Sequence, residues 1–374
     1  MPEIGEVELM RLAIQEILNG RKFKRISVLG GRYLAYKIKD KNDQWIGKIK
    51  NETTGRMINI DPKKYKGGQS FVELDNLDFF NQSVNQFANP VINRLGKFVW
   101  IDLPWLIPCE SKEMWYIAFT FGMSGAIYYE PTESVIADHS LASGKTISID
   151  EYKKHFHLKF ETDSDSGECF YFGDIRRMGT IIISNDRKKL QKKLKELGPD
   201  MLSDKPLTDS QFISILRSSK FCNQNICKVL MDQEAISGVG NYIKAECLYE
   251  CCISPYALVS DIDDETLVKL HQSIRNIAQK AVEGHGASLY TYVGTRKEKG
   301  TFQTLLKVYG HTLDPHGNKV TTITDTLKEN LPLLPADKRT IHYVKTLQTI
   351  GAHRDPNVTN PKPKIKLLLK QQHQ

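Results

Sequence analysis

The hydrophobic period of this chain changes once, and that change constrains the fold more than any single motif. From Lys24 to Ile183 apolar residues alternate in short runs such as Arg25-Ile26-Ser27-Val28-Leu29 and Met57-Ile58-Asn59-Ile60, broken by Gly and Asn turns. That is the period of half-buried strands, and further strands are expected at Trp115 to Phe121 and Phe156 to Phe160. From Ser210 onward the spacing becomes helical, through Phe212 to Leu216 and a long amphipathic stretch from Asp264 to Ala281 that stops at Gly284-His285-Gly286. One helix precedes the strands, because Ile4, Val7, Met10, Ile14, Ile17 and Leu18 share a helical face. A chain of 374 residues divided in this way holds two cores and is α+β.

Between the halves, the run from Asp186 to Leu197 reads as a short basic helix that Gly198-Pro199-Asp200 ends. The expected boundaries are a β-rich domain over 1–195 with an enlarged loop region at 38–92, a linker at 196–207 and a helical domain at 208–300. A hairpin region at 301–355 and a basic tail at 356–374 complete the chain. Within the enlargement, Pro62 to Gly68 is expected to be a loop. The formal net charge of +8 suits a polyanionic partner. No run approaches the roughly 18 consecutive apolar residues of a membrane span, and the start lacks the pattern of a signal peptide. Seven cysteines, an odd number with Cys251 and Cys252 adjacent in an expected helix, point to reduced thiols inside a cell rather than an exported disulfide framework.

Two segments carry chemistry. The first is Met1-Pro2-Glu3-Ile4-Gly5-Glu6-Val7-Glu8. Removal of Met1 would leave Pro2 with a secondary amine titrating near ~8, against ~10.4 for a lysine, so a useful fraction is unprotonated at neutral pH. The dipole of the following helix disfavours the ammonium form further, and Glu3 and Glu6 in the first turn are placed to move protons. Taken alone, proline and glutamate at a helix start are ordinary. The second segment, from Ile226 to Pro255, reads as two apolar helices joined by Gly238-Val239-Gly240-Asn241. The glycines allow close backbone approach, and Asn241 is expected to cap the second helix, whose free amides suit a phosphate.

Five more segments stand in order along the chain. They are Arg94-Leu95-Gly96-Lys97-Phe98-Val99-Trp100-Ile101-Asp102-Leu103, Phe121-Gly122-Met123-Ser124-Gly125, Gly173-Asp174-Ile175-Arg176-Arg177-Met178-Gly179, Leu306-Lys307-Val308-Tyr309-Gly310-His311 and Lys338-Arg339-Thr340-Ile341. With the octapeptide and the glycine turn, these motifs resemble the Fpg/Nei family of DNA glycosylases, which join an amino-terminal proline to a helix-two-turns-helix DNA-binding element. The resemblance implies an amino-terminal helix with a β-sandwich, then a helical domain ending in a β-hairpin finger. It implies a bifunctional DNA glycosylase and abasic-site lyase that excises oxidised bases in base-excision repair. The partner would be double-stranded DNA carrying oxidised bases or abasic sites, with no cofactor, and the enzyme a DNA-associated intracellular monomer.

By the same resemblance Pro2 attacks C1′, Glu3 assists proton transfer and Glu6 lies near the reacting sugar; the iminium permits β-elimination and leaves δ-elimination open. Lys97, Asn241 and Arg339 would hold phosphates around an everted nucleotide, with Gly240 in the same turn as Asn241. Met123, Arg176 and Met178 would fill the void that eversion leaves, and Arg177 would contact the backbone. Plainer readings stand beside these: a solvated strand-end charge for Lys97, a surface charge on a hairpin for Arg339, and core packing for both methionines. Gly294 to Gly300, where relatives carry a lesion-capping loop, reads equally as an exposed linker.

Three departures from the family pattern matter. Gly5 replaces a frequent proline and is expected to loosen the terminal turn. Thr120 stands where a phosphate-supporting histidine is common in bacterial members. Where many relatives bind Zn²⁺ through two Cys-x-x-Cys pairs, this chain has His316 and Lys319, then Val344 and Leu347. The expectation is a zincless finger, with no metal, held by packing of residues such as Val320, Ile341 and Tyr343. Two other functions compete with the full enzyme: an abasic-site lyase with little base excision, and a damaged-DNA-binding protein of the same fold without catalysis.

Overall fold

A computed structural model of the chain describes residues 2–29, 35–39, 45–50, 57–60, 77–107, 113–128, 154–286, 302–324 and 337–356. The expected loops at 62–68 and 294–300 and the tail beyond 356 lie outside them. Two compact units form: Met1–Leu197 with Gln279–Thr304, and Gly198–Ala278 with Leu305–Gln374. The described residues 279–286 thus group with the first unit, whereas the sequence reading placed them in the helical domain.

In unit 1, helix α1 (Ile4–Ile17) buries Val7, Met10, Ile14 and Ile17, the stripe that the period demanded. It ends before Gly20, whose φ of +70° turns the chain into β1 (Phe23–Val28). Strands β2 (Ala35–Lys39), β3 (Trp45–Lys50) and β4 (Met57–Ile60) pair in an antiparallel sheet of three. Helix α2 (Leu77–Ser83) then appears inside the region read as strand and loop. Seven residues are too short for a helical period to register, and the Asn81 amide reveals the segment's role: it donates to Ile26 O at 2.9 Å and accepts from Ile26 N at 2.8 Å, standing in for a neighbouring strand on β1.

The remaining strands are β5 (Val91–Leu95), β6 (Phe98–Leu103), β7 (Trp115–Thr120), β8 (Gly125–Tyr128), β9 (Phe156–Thr162), β10 (Cys169–Asp174) and β11 (Thr180–Ser184), followed by helix α3 (Arg187–Lys195). With β1 these strands form two four-stranded antiparallel sheets, ordered β1-β9-β10-β8 and β11-β7-β6-β5. Phe119 of one sheet meets Phe160 and Phe172 of the other at centroid distances of 5.7 and 6.4 Å, so the apolar faces stack as a sandwich, and α1 buries its stripe in the same core.

Unit 2 contains α4 (Asp209–Leu216), α5 (Ile226–Met231), α6 (Asn241–Glu250), the body of α7 (Asp264–Glu283), and a hairpin of β12 (Thr321–Ile323) and β13 (Ile341–Tyr343). Thr208 and Gln211 cap α4 reciprocally. The Asn225 side chain caps α5, accepting from Cys227 N at 3.1 Å. Helix α7 stops where expected: Gly286 N donates to Ala281 O at 2.7 Å, with His285 and Gly286 both at positive φ. The hairpin rests on two apolar beds, Val308, Val320 and Val344 with Ala245 and Tyr249 of α6, and Ile323, Ile341 and Tyr343 with Tyr256. The mixed architecture is the α+β fold anticipated, a helix and sandwich in one unit and a helical assembly ending in a hairpin in the other.

Candidate functional site

Pro2 is buried immediately before Glu3, which serves as the N-cap of α1. Glu3 N donates to Glu6 Oε2 at 2.9 Å, and the two glutamates are only 2% and 3% exposed. Two carboxyls are therefore held within one helical turn of the proline, beside the positive end of the helix dipole. Gly5 does not loosen this turn. It lies inside α1, and a Cβ added there would stand 2.6 Å from the Ala281 Cβ in the last turn of α7, so the glycine permits a close helix approach where a larger residue would collide. Gly286 closes on the same carboxyl: its added Cβ would stand 3.3 Å from Glu6 Cγ.

Lys97 sits on the turn that precedes β6. Leu95 pairs with Phe98, leaving Gly96-Lys97 as a two-residue hairpin loop with Gly96 at φ +57°, the conformation such a loop requires of its first residue. The half-buried turn is anchored from α1: Glu8 Oε2 accepts from Arg94 Nε at 2.6 Å, and the same guanidinium donates to Gly96 O at 3.0 Å. Burial opposes ionisation of Glu8, but its hydrogen bonds and charge pairing with Arg11 and Arg94 prevail and hold the carboxyl below its ordinary range.

Met123, Arg176, Arg177 and Met178 are gathered by one buried carboxylate. Asp174 Oδ1 accepts from Ser124 Oγ at 2.5 Å and from Arg176 N at 3.2 Å, and its Oδ2 accepts from Gly179 N at 2.6 Å. Arg176 N also donates to Ser124 Oγ at 2.9 Å. The two loops touch directly, since a Cβ on Gly122 would stand 2.7 Å from the Met178 carbonyl carbon. Core packing does not describe Met178, which is 51% exposed; Met123 is half-buried, and Arg176 and Arg177 are exposed, with Arg177 at φ +55°. Thr120, in the position discussed above, is engaged with Thr180: its hydroxyl meets the Thr180 hydroxyl and accepts from Thr180 N.

In unit 2 the cap of α6 is Gly240, not Asn241. Gly238 at φ +100° and extended Gly240 bring the chain sharply into the helix, which leaves Asn241 as its first residue. The Asn241 amide is turned instead to Thr340, donating to its carbonyl at 3.0 Å. Thr340 closes the turn that presents the exposed Arg339, and Asp337 at its other end forms a buried ion pair with Lys244. Five residues beyond Asn241 on α6, Glu246 collects successive amides, accepting from Lys307 N at 2.8 Å, Val308 N at 2.9 Å and Tyr309 N at 2.7 Å. Burial raises the Glu246 pKa, and the three amides only partly offset it.

The segment in which relatives bind zinc does not fit that metal. Val344 and Leu347 offer no ligand atoms and belong to the apolar bed under the hairpin. Asp314 organises the first half: its carboxylate accepts from Tyr249 Oη at 2.9 Å, His316 N at 2.9 Å, Asn318 N at 2.7 Å and Asn318 Nδ2 at 3.0 Å. Burial opposes the charge, but these bonds outweigh it and bring the Asp314 pKa down to about 2. Burial pushes the Cys227 and Cys251 thiols each up to about 12, which disfavours either as a nucleophile at neutral pH.

The sequence thus located side chains whose supports it missed. Pro2, Glu3 and Glu6 cluster on one helix start; Lys97 is held through Glu8 and Arg94; Met123, Arg176, Arg177 and Met178 are joined through Asp174 and Ser124. In unit 2, Gly240, Asn241 and Arg339 are linked through Thr340. Lys244 and Glu246, which also brace unit 2, did carry a signal, each being a charged residue inside a helical run read as apolar.

Residues 197–292 match the family model described as the formamidopyrimidine-DNA glycosylase H2TH domain. The formamidopyrimidine-DNA glycosylase of Carboxydothermus hydrogenoformans is 32% identical over 238 residues, which span 62% of this chain and 75% of that protein. That of Listeria innocua is 25% identical over 320 residues, 84% of this chain and 90% of the relative. That of Arabidopsis thaliana is 28% identical over 283 residues, 76% of this chain and 58% of the relative. Among solved structures, Lactococcus lactis Fpg in complex with DNA containing an abasic site shares the fold, with a TM-score of 0.61 at 20% identity over 93% of this chain and 99% of that one.

Proposed function

The chain belongs to the Fpg/Nei family of DNA glycosylases, and from that premise we propose that it excises oxidised bases from double-stranded DNA and then nicks the strand as an abasic-site lyase. Solved relatives include complexes with DNA carrying a lesion or an abasic site, and DNA is the partner proposed for this chain. The observation that carries the reading is the buried pair Glu3 and Glu6 beside Pro2. With Met1 removed, the Pro2 nitrogen attacks C1′, and Glu3 passes on the protons with which the base and then the ring oxygen leave C1′. The resulting iminium acidifies the C2′ proton; its removal expels the 3′-phosphate by β-elimination, and a second elimination would release the 5′-phosphate. Lys97 and Arg339 are assigned to phosphates, with Asn241 and Gly240 forming the backbone turn beside them. Met123, Arg176 and Met178 fill the emptied stack, and Arg177 meets the backbone. The finger is read as zincless.

Borohydride trapping tests this on duplexes holding either an oxidised base or a preformed abasic site, after intact mass has established a Pro2 terminus. Wild type should give a covalent adduct with both, and Pro2→Gly should trap far less. Glu3→Gln should lose base excision by roughly 10²- to 10⁴-fold, the scale of general acid catalysis, and lose less on the abasic site, where no base has to leave. No adduct from a protein with a free Pro2 terminus would sink the Schiff-base mechanism. Adducts on the abasic site alone would leave a lyase.

A further inference from the structure

The turn that presents Arg339 is held at both ends by one face of α6. Asn241 and Lys244 lie three residues apart and so project on the same side of the helix. Asn241 Nδ2 donates to Thr340 O at 3.0 Å, and Lys244 Nζ pairs with the Asp337 carboxylate. The Lys244 and Asp337 side chains are 1% and 3% exposed, whereas Lys338 and Arg339 between the two anchors are exposed. Inside the turn, Arg339 N donates to Asp337 Oδ1 at 3.3 Å, and Lys338 takes a left-handed φ of +54° that an unheld lysine disfavours.

Burying an ion pair is costly, and an apolar pair of similar volume would commonly stabilise the fold as well or better. What such a pair does supply is geometry: a charge buried against one partner tolerates one docking position and penalises all others. We propose that Lys244 and Asp337 are positioning residues for Arg339, a buried ionic clamp that fixes the arginine turn on α6 so that the guanidinium fork is preset for a DNA phosphate. Its phosphate target rests on the functional reading above; the clamp itself does not. Neither residue touches DNA; both act through the backbone at 337–340.

The clamp is tested by limited trypsin digestion of the full chain, followed by mass spectrometry at the bonds after Lys338 and Arg339, alongside Kd for an abasic-site duplex. Wild type and Lys244→Arg, which keeps the charge, should be cut slowly there. Lys244→Met should be cut about tenfold faster at those bonds, a coupling of ordinary size for directly paired groups. The double variant Lys244→Met/Asp337→Leu restores packing without charge and guards against simple unfolding; it should recover thermal stability yet keep the fast cleavage. Slow cleavage in the double variant would overturn the clamp. For DNA, Lys244→Met should weaken binding about tenfold when Arg339 is present and less than about twofold in an Arg339→Ala background. Equal losses in both backgrounds would overturn the positioning role. A wild type that binds no abasic DNA would count against the functional reading, while the cleavage pattern would still decide the clamp.

Discussion

The start of α1 in unit 1 and the terminal hairpin in unit 2 both set polar residues on an apolar bed, but one is held by shape and the other by charge. At the helix start, Gly5 fits against Ala281 with no room for a Cβ, and Gly286 packs tightly against Glu6. At the hairpin, Glu246, Asp314 and the Lys244–Asp337 pair carry the load through hydrogen bonds and ionic contact. A site held by shape fails when volume is added; a site held by charge fails when a carboxylate is removed or protons are supplied. The sharpest prediction concerns Glu246. Replacing it with alanine leaves the Lys307, Val308 and Tyr309 amides without their acceptor and should destabilise unit 2 by on the order of 3 kcal/mol, whereas Glu246→Gln, which keeps one oxygen, should lose about 1 kcal/mol. Urea unfolding reads both, and a loss below about 1 kcal/mol for the alanine variant would break the contrast.

The complementary change adds volume at the helix start. Gly5→Ala gains helix propensity worth about 0.5–1 kcal/mol but forces two Cβ atoms to 2.6 Å, which no real contact tolerates, so one helix must shift. The net expectation is a loss of about 1–2 kcal/mol. Combining it with Ala281→Gly moves the missing methyl across the contact and should restore most of that loss, a coupling absent if the two sites are independent. A stabilised single variant, read by thermal melting, would show that shape is not what holds α1.

The same division explains what was legible before the structure. Alternation exposed strands such as β6 and β9, whose burial alternates over much of their length, although β7 is buried on both faces, the outer one against Leu190 of α3; the apolar stripe exposed α1 because it runs about four turns. Capping chemistry at Asp186, Thr208 and Asn225 is local and can be read from neighbouring residues. The rest depends on partners distant in sequence. Lys244 and Asp337 lie 93 residues apart, and Arg94 lies 86 from Glu8, so nothing near any of them announces the pair. Lys97 was read at the end of a strand, but that it shares a two-residue turn with Gly96 depends on Leu95 pairing with Phe98, a register that alternation leaves open. Gly5 was misread for the same reason: a glycine that loosens a turn and one that admits a neighbouring helix look identical in sequence. Asn241 lost the cap to Gly240 because the preceding turn sets where the helix begins, and its side chain was claimed by a carbonyl in the hairpin.

The smallest expected effect separates the regions by pH. Burial, reinforced by the charges of Lys244 and His311, lowers the His342 pKa to about 4. The Tyr309 ring packs edge-on to the imidazole, and Thr322 Oγ1 lies 3.1 Å from Nδ1. In the unfolded chain this histidine takes up a proton below about 6.5, but in the folded chain only near 4. The unfolded state therefore binds more protons across that window, and stability falls as pH drops through it, by on the order of 1 kcal/mol at pH 5. Glu8 and Asp314 have depressed pKa values, so their contributions persist at pH 5 and fade only as pH falls below the ordinary carboxylate range. Hydrogen exchange at pH 7 and pH 5 should accordingly loosen the amides of 321–323 and 341–343 while leaving those of α1 protected. His342→Gln should abolish the difference, and a metal chelator at pH 7 should change nothing, since Val344 and Leu347 offer no ligand atoms. Acid loosening that persists in His342→Gln would move the proton to another group, and loosening by chelator would add a metal to the contacts that hold the hairpin.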